Sequence, residues 1–138
     1  MENNSIFVEK LRSSGLSPTK QRIKICKLLF DRKKTFHFTI NDISKTLKKE
    51  TSDKISLATI YNTIHSFKKK GYLKEISLNR EKSYFDTNTS NHHHFLDVNT
   101  NELIDLKNQD VHNIKIKKRI PGKKINSIEV LVKIENSN

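Results

Sequence analysis

Cysteine is almost missing from this chain: Cys26 is the only one in 138 residues. No disulfide can form within the chain, and no zinc site built from cysteine pairs can be assembled. Glycine is scarce as well, with three residues, and no glycine-rich phosphate loop is present. Long apolar runs are absent: none approaches the roughly 18 residues needed to span a bilayer. The opening stretch "MENNSIFVEKLRSSG" carries charges where a signal peptide would need an apolar run, so a cytoplasmic protein without membrane contact is expected. A chain of this size buries roughly two-thirds of its unfolded surface, enough for one domain or two small ones but not for a large multidomain enzyme. With 33% apolar and 30% charged residues, repeated apolar periodicity and no long low-complexity tract, the chain is expected to fold.

Positive charge, by contrast, is abundant: 27 Lys or Arg against 15 Asp or Glu give a net +12. Residues 1–86 hold 19 of those cations and 9 of the acids, whereas residues 87–138 hold 8 and 6. Clustered cations bind nucleic acid by releasing condensed counterions, so salt-sensitive binding through the N-terminal part is expected. Lysines also solubilise surfaces, and charge alone does not choose between these roles.

The N-terminal part reads as helices. Phe7, Leu11 and Leu16 suggest a short first helix stopped by Gly15. In "SPTKQRIKICKLLF", Ser17 and Pro18 look like a capping residue and a first-turn proline, with Ile23, Cys26, Leu29 and Phe30 on one face. Cys26 then reads as a small core hydrophobe. Thr39, followed by Asp42, resembles a capping box for a third helix carrying Ile40, Ile43 and Leu47. The fourth, "SLATIYNTIHSFKKKG", has Ser56 to cap it, Gly71 to end it, and a stripe of Leu57, Ile60, Ile64 and Phe67 with Tyr61 at the edge. Its other face bears Ala58, Thr59, Asn62 and Ser66, small or hydrogen-bonding side chains suited to a major groove. Lys68, Lys69 and Lys70 close it with charge favourable to the helix dipole and to phosphates. Any amphipathic surface helix also has a polar face, so this pattern gains weight only from the segment after Gly71.

There the period changes from helical to alternating. "YLKEISL", a polar "NREK" turn and "KSYFDT" predict a hairpin, which completes a winged helix-turn-helix with Arg80 and Lys82 at the wing tip. Thr19, Lys20 and Arg22, at the start of the second helix, join the candidate DNA contacts. "NTSN", residues 88–91, is a polar joint to a second unit, where "HHHFLDV" and "ELIDL" predict two strands around "NTN". A last strand, "SIEVLVKIE", alternates with Ile128, Val130, Val132 and Ile134 on one face, and Leu131 interrupts its polar side, a hint of burial against another subunit. "DVHNIKIKKRIPGKK" fits no regular element; Pro121 and Gly122 suit a turn or a short helix start.

Half of the six histidines stand together in "TSNHHHFLDVNTNELIDL". On a strand, His92 and His94 share one face and His93 points to the other. From these residues alone, a metal site, a haem contact and a solvated surface all remain open. His65 and His112 read as surface residues. A metal-dependent hydrolase would need an open coordination position with an acid or base in a cleft; no spare carboxylate pair or nucleophile motif is present, and no catalytic residue is expected.

"GLSPTKQR", "SLATIYNTI", "GYL" followed by "KSYFDT", and the histidine cluster occur in an order that resembles the ferric uptake regulator family across the whole chain. "YFDTNTSNHHHF" and the short C-terminal region are most similar to the iron response regulator subgroup. The resemblance implies an α+β fold: an N-terminal winged helix-turn-helix over residues 1–87, a hinge at 88–91, and a small α/β dimerisation domain over 92–138. It implies a metal-responsive regulator of iron homeostasis genes that binds double-stranded operator DNA as a homodimer, with Tyr61 contacting a thymine. Many family members have arginine where this chain has Asn62, a residue suited to adenine.

The family pattern also implies a ligand set of His37, Asp86, His92, His94 and Asp105, with the intervals from Asp86 onward matching the peroxide-sensing branch. Three imidazoles and two carboxylates suit iron, manganese or zinc. The subgroup implies haem as a further ligand, with His92, His93 and His94 as its contact or as a second site; the cysteine-proline haem motif of some members is absent, since Lys27 follows Cys26. "LDVNTNEL" stands where the wider family has its first zinc-binding cysteine pair. With His37 and Asp86 on one side of the hinge and the other three on the other, cation binding would fix the winged helices for two half-sites; shifting such an equilibrium from about 1:99 to 99:1 takes roughly 5.5 kcal/mol. The alternative is a nucleic-acid-binding protein indifferent to metal.

Overall fold

The structure, a computed structural model, describes residues 4–138. The chain divides into two compact units, one up to Thr89 and one from Ser90.

The first unit contains α1 (Ser5–Ser13), α2 (Lys20–Phe30), β1 (His37–Phe38), α3 (Ile40–Glu50), α4 (Leu57–Lys70), β2 (Lys74–Ser77) and β3 (Ser83–Asp86). Gly15 follows α1 at φ +79°, a conformation that costs other residues strain. The cap of α2 is Thr19, whose hydroxyl accepts from the Arg22 N–H, so Ser17 and Pro18 lie outside the helix, not in its cap and first turn as expected. The buried face of α2 is also shifted from expectation. Ile25, Cys26 and Leu29 are fully buried, while Ile23 and Phe30 are only partly so, because the i, i+4 pair Ile25 and Leu29 faces the core. Burial pushes the Cys26 thiol up to about 11, with the Lys10 charge pulling the other way. This is a packing residue with no reactive thiolate.

α3 opens on the expected capping box, Thr39 accepting from the Asp42 N–H while Asp42 accepts from the Thr39 N–H. α4 runs from the Ser56 cap to Gly71 at φ +96°. Ile60, Ile64 and Phe67 bury completely, and so does Thr63, whose hydroxyl donates to the Thr59 carbonyl. Leu57 does not: it is 55% exposed, because the first turn of α4 projects beyond the core that its later turns enter.

The hairpin β2–β3 is the expected wing, and a third strand joins it. β1 pairs antiparallel with β3, giving the order β1-β3-β2. Lys68 on α4 and Glu75 on β2 form an ion pair. Burial works against the Glu75 charge, but hydrogen bonds from Lys68 and Ser83 outweigh it and hold the carboxyl below its ordinary range. The core is completed by Leu11, Phe38, Ile43, Leu47, Leu73 and Phe85.

The second unit is a three-stranded sheet of β4 (His93–Asp97), β5 (Leu103–Leu106) and β6 (Leu131–Ile134) in the order β5-β4-β6. β4 and β5 form the expected hairpin, and β6 runs parallel to β4. A parallel pair needs a crossover, usually helical. Here residues 107–130 cross with only a 3-10 turn at Asn108–Asp110, and Pro121–Gly122 form a turn. The buried apolar residues of this unit are Leu96, Leu103 and Leu106, whereas Ile114, Ile116, Ile120 and Ile125 are exposed.

Ile64→Ala is expected to cost about 2–5 kcal/mol, and the exposed Leu57→Ala less than about 0.5 kcal/mol, in denaturant unfolding followed by circular dichroism.

Candidate metal centre and DNA-reading surface

Each unit presents its own set of side chains that could ligate a metal. In the first, strand alternation decides the placement. Phe38 enters the core and pairs across the ladder with Phe85, so the adjacent cross-strand pair, His37 and Asp86, is turned to the other face. The Phe36 N–H donates to the Thr87 hydroxyl at 3.1 Å and the Thr87 N–H to the Phe36 carbonyl at 3.2 Å, which lengthens the pairing on the near side of His37. His37 Nε2 lies 3.3 Å from Asp86 Oδ2. Asp86 is 1% exposed, and its other oxygen accepts from the Asn88 N–H at 2.8 Å. A carboxylate so deeply buried is costly unless positive charge accompanies it.

In the second unit, His94 pairs across the ladder with Asp105. His92 and His94 approach with ring centroids 4.3 Å apart. Both Nε2 atoms converge on Asp105 Oδ1, at 3.2 Å and 3.3 Å. One ligand atom from each of these three residues lies within 4.8 Å of the others. His92 Nδ1 stands 2.8 Å from the Ser90 carbonyl, a contact that requires the proton on Nδ1. Nε2 then faces the carboxylate either as a lone pair or as part of an imidazolium. The same tautomer-fixing contact orients metal-bound histidines. Two nitrogens and one carboxylate oxygen aimed at one small volume fit a divalent cation of the iron, manganese or zinc type, and neither set contains sulfur to favour a softer ion.

His93 has a different place. It is buried, and its Nδ1 accepts from the Val130 N–H at 3.0 Å, tying β4 to the approach of β6. Its Nε2 therefore carries the proton and is not available to an ion while this bond holds. His65, read from the sequence as a surface residue, is half-buried between aromatic rings.

The DNA candidates fall at three places in the first unit. Ala58, Tyr61 and Asn62 are exposed along the first half of α4, beside the equally exposed Leu57, which the sequence pattern had put in the core. A shallow cleft of about 360 Å³ is lined by Thr19, Lys20, Gln21, Arg22 and Thr59, so the N-termini of α2 and α4 share one surface. Four of these side chains are already engaged: the Thr19 hydroxyl accepts from the Arg22 N–H, Gln21 donates to the Lys54 carbonyl at 3.4 Å, Arg22 donates to the Ser17 carbonyl at 3.1 Å, and the Thr59 hydroxyl contacts that of Ser56. Arg80 and Lys82 are exposed at the wing tip, where the Asn79 side chain accepts from the N–H groups of Glu81 and Lys82. Gln21 and Leu57 were not expected. An uncharged residue between Lys20 and Arg22, and a leucine in the first turn after a cap, were the available signals.

The sequence profile described as "Ferric uptake regulator family" matches residues 13–133. The "Peroxide-responsive repressor PerR" of Staphylococcus aureus is 32% identical over 107 residues, which is 78% of this chain and 70% of that protein. A solved ferric uptake regulator from Pseudomonas aeruginosa, described as "with manganese", superposes with a TM-score of 0.68 at 20% identity, covering 96% of this chain and 99% of its own. Another, from Francisella tularensis and described as "with Iron", gives 0.67 at 18% identity, covering 88% and 92%. At these identities the likeness to solved structures is one of fold.

His93→Ala leaves the part-buried Val130 N–H without its acceptor and is expected to cost about 1–3 kcal/mol. Faster amide exchange at Val130 in the variant, with metal stoichiometry unchanged, is the result that checks it.

Proposed function

The chain belongs to the ferric uptake regulator family, and from that premise we propose that it is a metal-responsive transcriptional repressor that binds operator DNA as a homodimer. The observation that carries this reading is the pair of incomplete ligand sets. Two donors on β1 and β3, and three on β4, β5 and the residues before β4, each fall short of the four to six that a first-row divalent ion takes. We assign all five residues, His37, Asp86, His92, His94 and Asp105, to one shared cation. Only six residues of sequence separate Asp86 in one set from His92 in the other. A bound cation supplies the positive charge that two carboxylates require in one small volume. Without it, Asp86 and Asp105 repel, and the link between the units loosens. The related structures described with manganese and with iron support these two metals; zinc suits the same donors.

The same reading gives each DNA candidate a chemical role. Leu57 and Tyr61 offer an apolar edge for a thymine methyl, Asn62 a bidentate partner for adenine, and Ala58 room for close approach. Lys20, Arg22, Arg80 and Lys82 supply phosphate contacts, with Thr19 and Thr59 beside them. The exposed isoleucines of the crossover, Ile114, Ile116, Ile120 and Ile125, supply apolar surface for a second copy. Within the family, "NHHHF" and the short C-terminal region support the iron response regulator subgroup and control of iron homeostasis genes. In that subgroup reading haem contact falls to His92 or His94, since His93 is held by Val130.

Electrophoretic shifts at constant salt, with and without chelator, test the repressor reading: specific binding should disappear when metal is stripped, whereas a metal-indifferent nucleic-acid-binding protein would bind equally in both. At fixed manganese, Asp105→Ala is expected to weaken operator affinity about 5- to 150-fold while the circular dichroism spectrum stays that of the wild type. Unchanged affinity in that titration would refute the shared site.

A further inference from the structure

The reading helix carries an aromatic contact that its core does not require. His65 follows Tyr61 by one turn on α4, and their ring centroids lie 4.0 Å apart with a 42° tilt. On its other side His65 meets Phe85 of β3 edge-on, at 5.7 Å and 88°. Phe85 stacks on Phe38 of β1 at 5.8 Å. Phe38 and Phe85 are cross-strand partners, and the next pair along the ladder is His37 and Asp86. A continuous run of rings therefore joins an exposed tyrosine on the reading helix to the two strands that carry one metal-ligating pair, all within one unit.

Tyr61 is 52% exposed, and an exposed aromatic side chain is free to change rotamer unless something holds it. The His65 ring lies against it. Glu75 on β2, opposite Phe85 in the ladder, keeps negative charge near the imidazole and is itself fixed by Lys68.

We propose that His65 is a positioning residue: its imidazole sets the orientation in which the Tyr61 ring meets DNA, and fastens that ring through Phe85 to the strands bearing His37 and Asp86. This rests on the reading above, in which Tyr61 touches a base and His37 and Asp86 ligate metal. Losing one such aromatic contact corresponds to about a 2- to 10-fold change in affinity.

The test uses the full-length, manganese-loaded protein and two duplexes of equal length at fixed salt: one selected from random-sequence DNA by the wild type, and a scrambled control. His65→Ala should lose about 2- to 10-fold on the selected duplex and nothing on the control. His65→Phe, which keeps a flat ring, should stay within about twofold of wild type. In a Tyr61→Ala background, His65→Ala should have no further effect. Equal losses on both duplexes, losses that simply add to those of Tyr61→Ala, or no loss at all would each overturn the proposal. A wild type that selects no duplex in manganese would instead remove the repressor reading beneath it.

Discussion

Two cross-strand pairs, His37 opposite Asp86 and His94 opposite Asp105, are the constraint on which the candidate metal centre depends. In each, an imidazole and a carboxylate meet because two backbones are in register. A slip of one residue would carry every side chain of the strand to the other face. The register is fixed by neighbours with no metal chemistry of their own: Phe38 against Phe85 in the first unit, and Leu96 against Leu103 in the second. The second register is also set by its turn, where Asp97 accepts from the N–H groups of Asn99 and Thr100 and Asn101 takes φ +62°. Burial of apolar residues thus aims the donors, and a substitution in either core would disturb the ligands without touching them.

The sequence shows best those elements whose signals are repeated. Thr39 with Asp42, Ser56 with Gly71, and stripes such as Ile60, Ile64 and Phe67 each state the same helix in two or three ways. The wing and the β4–β5 hairpin are equally legible, because alternation is interrupted by a polar turn. β1 was not legible: two residues have no period, and the strand exists only because β3 is there to pair with it. His37 was identified from family pattern, and its position opposite Asp86 needed the ladder. Ile25 and Leu57 show the limit of the stripe, since whether a helical face is buried depends on where its neighbours end. Pro18 shows the limit of the cap signal, as Thr19 captured the Arg22 N–H instead of Ser17.

The C-terminal unit is poor in its own stabilising contacts. Three leucines form its buried apolar set, the chain has no cysteine there to hold a zinc ion, and the crossover leaves isoleucines in solvent. Small domains of this kind usually rely on a metal, a disulfide or a partner. In the proposed reading the unit uses two of these: a cation on His92, His94 and Asp105, and a second copy on the isoleucine surface. Regulation and folding stability then draw on the same contacts, so loss of the ion lowers this unit's resistance to unfolding while leaving its fold in place.

The parallel pairing of β6 with β4 has a kinetic side. Before Leu131 can join His94, the 24 residues from 107 to 130 must close into a loop with no helix to shorten them. Closing a flexible loop of that length costs about 3 kcal/mol of chain entropy, and nothing returns it until the last strand is seated. Contacts so distant in sequence form late and slowly. In the N-terminal unit the span between β1 and β3 is filled by α3, α4 and β2, which shorten the closure, so its core can assemble before the last strand of the chain finds its place.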